Sequence, residues 1–311
     1  MRGPVRETAA SATCVLLTRA HGGQVAGTAP VADGWVLIEQ PGAWGRHALT
    51  SSGLDPALGA ALDEASGDRV RVQLVRRPGR GSDDARVTGR RTVVLAHTGT
   101  GPGATAWAEQ LGLDHDELAA LDPIVAASPT PPGLGRPVDA PLLLVCTHGK
   151  RDRCCATYGR PIADALAAIH GDAVWEVSHI GGHRFAGNLL LLPTGAVYGA
   201  LQVPEALEVV SLHLTGRYDL DHLRGRSGSS RAAQAAEILA RRQLGLDEHD
   251  AATVVGEALE GDDVTVELVA GDRRYHATVR QVPTGAAYAM SCDSDDPVDP
   301  GRWELAELTQ L

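Results

Sequence analysis

Short apolar runs, separated by polar segments rich in glycine and proline, set the rhythm of this chain. Before residue 128, the runs WVLIEQ (35–40), RVRVQLV (69–75) and RTVVLAH (91–97) have the β-branched character of strands. Helical stretches near 56–65 and 116–121 accompany them. RRPGRGSDDARVTGRR (76–91) reads as an exposed polar loop. SPTPPGLGRPVDAP (128–141) holds five prolines and reads as a linker.

Beyond the linker the order is clearer. PLLLVC is a continuous apolar strand ending at Cys146. RPIADALAAIH is a helix with Pro161 in its first turn and Ile162, Leu166 and Ile169 on one face. AVWEVSH is a strand ending at His179. NLLLLP and AVYGAL are strands joined by a turn, and PEALEVVSLHL is a helix. This β-α-β-β-β-α order fits a thioredoxin-like sheet. A further helix follows Ser229 or Ser230 as cap, and DVTVELV with RRYHATVR forms a hairpin. The fold class is therefore α/β. The predicted units are an N-terminal α/β unit (1–127), the linker (128–141), a thioredoxin-like domain (142–245) and a small α+β extension (246–311). No internal repeat is visible in the residues, but two α/β units leave room for a degenerate duplication.

Composition narrows the function. The chain has 311 residues, of which 43% are hydrophobic but only 4% aromatic, so its cores are built from Ala, Val and Leu. A net charge of −11 disfavours nonspecific binding to nucleic acid or anionic membranes. No apolar run approaches the length of a membrane span, and the N-terminus shows no signal-type stretch. The expectation is a cytoplasmic protein with reduced thiols. Clustered cysteines then point to metal or catalysis rather than disulfides.

Three of the five cysteines lie in CTHGKRDRCC (146–155), and SHIGGHRF follows with His179 and His183. Cys146 and His179 close strands, at the edge where open α/β sheets place ligands. Gly181 and Gly182 argue against a helical histidine pair and for a loop wrapped closely around a bulky object. Thiolate with imidazole suits zinc or iron–sulfur. The eight residues between Cys146 and Cys155 exceed the usual zinc-finger spacing and suit a larger group.

The motif Cys-x8-Cys followed by His-x-Gly-Gly-His resembles the sucrase/ferredoxin-like family. THGKRD, RFAGN, LPTGAVYG and, in the first unit, LIEQPGAWGRHAL extend the likeness. The resemblance implies a thioredoxin-like ferredoxin domain and a [2Fe–2S] cluster on Cys146, Cys155, His179 and His183. Cys154, one position from the motif, is the substitute ligand to weigh. On an extended chain its side chain would point away from that of Cys155. Arg151 and Arg153 form a basic loop between the ligands, and Arg184 and Asn188 are placed to bond cluster sulfurs or hold the loop. Cys14 and Cys292 read as isolated thiols.

The expected function is one-electron transfer. Histidine ligation would couple it to protons through the free imidazole N–H. No Gly-x-Gly-x-x-Gly follows a strand, so the electron comes from a partner, a reductase. One alternative is a structural or regulatory zinc site on the same four residues. Another is a thiol-dependent hydrolase built on Cys154 and Arg160, which have the Cys-x5-Arg spacing. Sugar cleavage needs a pair of opposed carboxylates, and no motif identifies one.

Overall fold

The apolar runs become strands of one ten-stranded mixed sheet. The computed structural model describes residues 13–67, 69–79, 89–100 and 105–311. The centre of the predicted polar loop at 76–91 and most of the stretch read for a signal lie outside the described residues.

The first half of the sheet comprises β1 (Gly34–Glu39), β2 (Val70–Arg76), β3 (Arg91–His97), β4 (Trp107–Leu113) and the two-residue β5 (Arg136–Pro137). The second comprises β6 (Leu142–Cys146), β7 (Val174–Val177), β8 (Leu189–Leu192), β9 (Ala196–Tyr198) and β10 (Leu223–Arg226). Their spatial order is β10-β9-β8-β6-β7-β2-β1-β3-β4-β5. In the first half, β1 is parallel to β2 and antiparallel to β3, which pairs antiparallel with β4. In the second, β6 is parallel to β7 and antiparallel to β8, which pairs antiparallel with β9. The strand order is thus repeated, although the residues show no repeat. The halves join through antiparallel pairing of Val75 with Val177 and Arg76 with Glu176. The proline-rich stretch passes between them without interrupting the sheet.

Burial explains why these runs are so uniformly apolar. Every residue of β6 is buried, as is required of a central strand covered on both faces. One core spans the seam: Trp35 and Leu37 of β1 belong to it together with Leu144, Cys146 and Trp175. Each such large side chain contributes about 1.5–3 kcal/mol on burial.

Among the described residues, six α-helices flank the strands: α1 (Cys14–Ala20), α2 (Pro56–Ala65), α3 (His115–Ala120), α4 (Arg153–His170), α5 (Val203–Leu214) and α6 (Arg231–Leu244). Helix α4 starts well before Pro161, which lies inside it. Asp152 caps it by accepting the Cys154 N–H at 2.9 Å. The buried stripe of Cys155, Gly159, Ile162, Ala163 and Leu166 outweighs the hydrogen bond lost at proline. Ile169, expected on that stripe, is exposed. Ser230 is the cap of α6. No helix among the described residues is long and apolar enough to cross a membrane.

The C-terminal part adds β11 (Thr253–Glu260), β12 (Asp263–Ala270), β13 (Arg273–Val282), β14 (Tyr288–Ser291), β15 (Ser294–Val298) and β16 (Arg302–Gln310). Strands β11, β12, β13 and β16 form a sheet over α6, while β14 and β15 make a separate hairpin. Strand β14 packs against α1 and the turn His183–Phe185. This brings α1 and the β14–β15 hairpin against the predicted histidine loop.

Candidate metal centre

The ends of β6 and β7 lie side by side, with Cys146 in register with Val177. Cys146 closes β6, and His179 lies just past β7. The first turn of α4 must therefore come close to bring Cys155 to them. Gly159 permits this approach, since a Cβ there would lie 2.1 Å from the Cys146 carbonyl oxygen. Cys146 Sγ, Cys155 Sγ and a His179 ring nitrogen all fall within 4.8 Å of one another. His179 Nδ1 is 3.6 Å from Cys155 Sγ.

His183 stands one contact behind this group. Its Nδ1 faces His179 Nε2 at 3.5 Å, and the two rings stack. Its Nε2 lies 2.9 Å from the Met290 carbonyl, which can only accept. The proton is thereby assigned to Nε2, and the Nδ1 lone pair is turned toward His179.

The loop between the histidines is held from below by Arg224, a residue the sequence did not single out. This fully buried guanidinium donates to the Gly181 carbonyl at 3.1 Å, to Asn188 Oδ1 at 2.8 Å and to Thr28. Asn188 in turn donates to the Gly182 carbonyl at 2.9 Å, the loop-holding role expected of it. Gly182 has φ +71°, and a Cβ there would lie 2.2 Å from Arg224 Nη2. The glycines thus serve an arginine beneath the loop as well as its curvature. Arg184 reaches Met290 Sδ rather than the Cys146 group.

His148 Nε2 donates to the Gly45 carbonyl at 2.6 Å, and its Nδ1 accepts the His179 N–H at 3.3 Å. It positions the loop, in keeping with a backbone-bonding histidine. Arg151 lines a cavity of about 220 Å³ with His47, His148 and His179.

The buried thiols share protons unequally. The Cys155 thiol and His179 donate toward Cys146 sulfur and hold it well below the ordinary thiol range, against the effect of burial. The same contact with Cys146, and then burial, push Cys155 up. One thiolate is thus already favoured in the pair. Burial lowers His183, with Asp152 opposing it, so its ring is neutral and able to ligate.

Cys154 does not join this group. Adjacent positions on a helix diverge by about 100°, so the extended-chain argument used for this pair does not apply. Cys154 faces Cys14 and Cys292, at 3.7 and 3.3 Å. Those two are therefore not isolated. Cys292 is only partly exposed, and burial is the main cause of its raised pKa. The hydrolase arrangement also fails. Cys154 is buried, Arg160 is exposed, and both lie on the straight run of α4 rather than around one anion loop.

A family model described as sucrase/ferredoxin-like matches residues 25–225. The chain belongs to this family. The match covers both halves of the sheet but neither Cys14 nor Cys292. A stretch of 59 residues is 42% identical to altered inheritance of mitochondria protein 32 of Eremothecium gossypii. That stretch is 18% of this chain and 19% of the relative, so the likeness covers about a fifth of each. No solved structure matches the chain.

Proposed function

We propose that this sucrase/ferredoxin-like protein is an electron carrier whose second half is a thioredoxin-like ferredoxin domain. Its [2Fe–2S] cluster would be held by Cys146, Cys155, His179 and His183. The observation that carries this reading is the convergence of two buried cysteines and a histidine at adjoining strand ends, with a neutral second histidine behind. The order β7-β6-β8-β9 agrees with the proposed domain. Held by these side chains, such a cluster supplies one-electron transfer at a potential above that of all-cysteine clusters, because two neutral imidazoles replace two thiolates.

The chain's own contribution is positioning and charge. Buried Arg224 places a cation under the histidine loop, where it favours thiolates and added electrons. Met290 keeps the outer proton of His183 in place. His179 borders the cavity beside Arg151. Lys150, Arg151 and Arg153 form a basic edge for an acidic redox partner, a reductase. Five free cysteines suit the reducing cytoplasm.

Protein purified without oxygen is expected to be brown, with about two irons and two sulfides per chain and visible charge-transfer bands. Colourless protein that holds zinc through the same four residues would replace this reading with a zinc site.

A further inference from the structure

The second sulfur cluster is unlike a chance meeting of thiols. Cys14, Cys154 and Cys292 come from α1, α4 and the turn after β14, separated by as many as 278 positions. Their sulfurs form a near-equilateral triangle with edges of 3.7, 3.3 and 3.5 Å. An Asp152 carboxylate oxygen completes the group, with all four atoms within 4.8 Å of one another. Zinc–sulfur bonds of about 2.3 Å in a tetrahedron put sulfurs about 3.8 Å apart. The observed edges need to open only slightly to reach that value.

One of the three thiols is already favoured as a thiolate: the Cys14 thiol and other donors hold Cys154 down to about 6, while Cys14 and Cys292 are pushed up and would give up their protons to the metal. The Val15 N–H donates to Cys154 sulfur, and the Cys14 N–H donates to Cys292 sulfur. The Arg153 guanidinium lies beside Cys292. Asp152 is buried and held by the Cys154 and Cys292 N–H groups at 2.9 and 3.1 Å. Main-chain donors that orient the ligands are typical of metal centres.

We infer that Cys14, Cys154, Cys292 and Asp152 form a separate structural zinc site. Binding releases the thiol protons and gives a closed, tetrahedral Cys3Asp site with no open position for catalysis. Two of the ligands lie outside the family match of 25–225, so the site belongs to this chain's ends rather than to the family core. It clips the N-terminal helix and the C-terminal hairpin to the start of α4, next to Cys155. Its four ligands are distinct from those proposed for the cluster, although Asp152 lies 3.9 Å from His183 Nε2, and the comparison of zinc with iron rests on the proposed cluster.

Elemental analysis of the full chain, purified under reducing conditions in the presence of zinc and then desalted, tests this. Wild type is expected to keep about one zinc per chain. Cys14→Ser and Cys292→Ser should lower zinc roughly tenfold or more and leave iron unchanged, whereas Cys146→Ser should do the reverse. Cys14→His, which restores a zinc ligand, should retain the metal. Should a serine variant fail to fold, wild type alone still decides: native thiols at the cluster should be protected from alkylation until a strong chelator is added, with Cys14, Cys154 and Cys292 identified by peptide mapping. Wild type without zinc, zinc unaffected by Cys14→Ser and Cys292→Ser, or a disulfide between any two of the three would overturn the inference.

Discussion

The two halves of the large sheet have the same strand order, yet only the second gathers two cysteines and a histidine at its strand ends. In the second half, Cys146 pairs with Val177, and His179 stands just beyond. At the matching end of the first half, Glu39 pairs with Val75, and Arg77 stands just beyond. The scaffold therefore does not dictate the chemistry; a few side chains at one strand edge do. The first half nevertheless supports the second. Its loop supplies the Gly45 carbonyl that orients His148, and Trp44 packs edge-on against that ring.

The largest expected effect separates the halves directly. Cys146→Ser or Cys155→Ser should abolish iron retention, measured as iron and sulfide per chain. Glu39→Ala should leave iron content unchanged. Loss of iron in the Glu39 variant would break the comparison. Cys154→Ser should keep the iron; if it loses iron while Cys155→Ser keeps it, the ligand register is displaced by one.

The next effect concerns the loop that only the second half has. Gly182→Ala combines a left-handed backbone with displacement of a buried guanidinium, and should cost about 3 kcal/mol in urea unfolding. Gly181, with φ +92° and open space around its Cβ position, bears only the conformational cost, about 1 kcal/mol. Equal losses at the two positions would remove Arg224 from the explanation.

Away from the strand ends, each half buries an imidazole: His97 in the first and His213 in the second. Burial, and then His249, hold His213 down to about 3, while the unfolded chain titrates near 6.5. The unfolded chain thus takes up a proton that the folded chain refuses. The stability gained is present in full above about 6.5 and is lost as pH falls toward 3. Between pH 7 and 5 the loss from this group is about 2 kcal/mol, and His213→Phe should remove that part of the slope. An unchanged slope in a folded variant would show that His213 is not the titrating group.

The smallest effect is electrical. Loss of the outer N–H proton from a ligating histidine should make the reduction potential fall with rising pH, by at most about 59 mV per pH unit. A flat profile from pH 6 to 10 with the cluster intact would rule out proton coupling through the ligating histidines.

Much of this was legible in the residues. The uninterrupted apolar runs placed β1, β3, β6 and β8 to within a residue or so, because strands buried on both faces leave no room for polar positions. Three of the four motif residues, Cys146, Cys155 and His179, lie close together in the fold, since they are fixed to strand ends and one helical turn. Other features were illegible for a physical reason. Cys14 and Cys292 meet Cys154 only because α1 and the β14–β15 hairpin fold back, and no local spacing encodes a contact across 278 positions. Arg224 lies in a short strand whose sequence gives no sign that its side chain turns inward beneath the histidine loop. Pro161 suits a helix's first turn and so hides the true start of α4, which the cap at Asp152 and the buried stripe set eight residues earlier, at Arg153.

The seam between β2 and β7 has a consequence for solubility. A strand at the rim of a sheet exposes unpaired amides and carbonyls, which invite pairing with another chain. Here each half covers the other's rim, and a half-buried Arg76–Glu176 ion pair at 2.6 Å clamps the junction. Either half produced alone would uncover a rim, and with it the apolar side of Trp35 or Trp175. Such a fragment should seek a second copy of itself and pair antiparallel across the same strand, reproducing as a dimer what the intact chain achieves within one molecule.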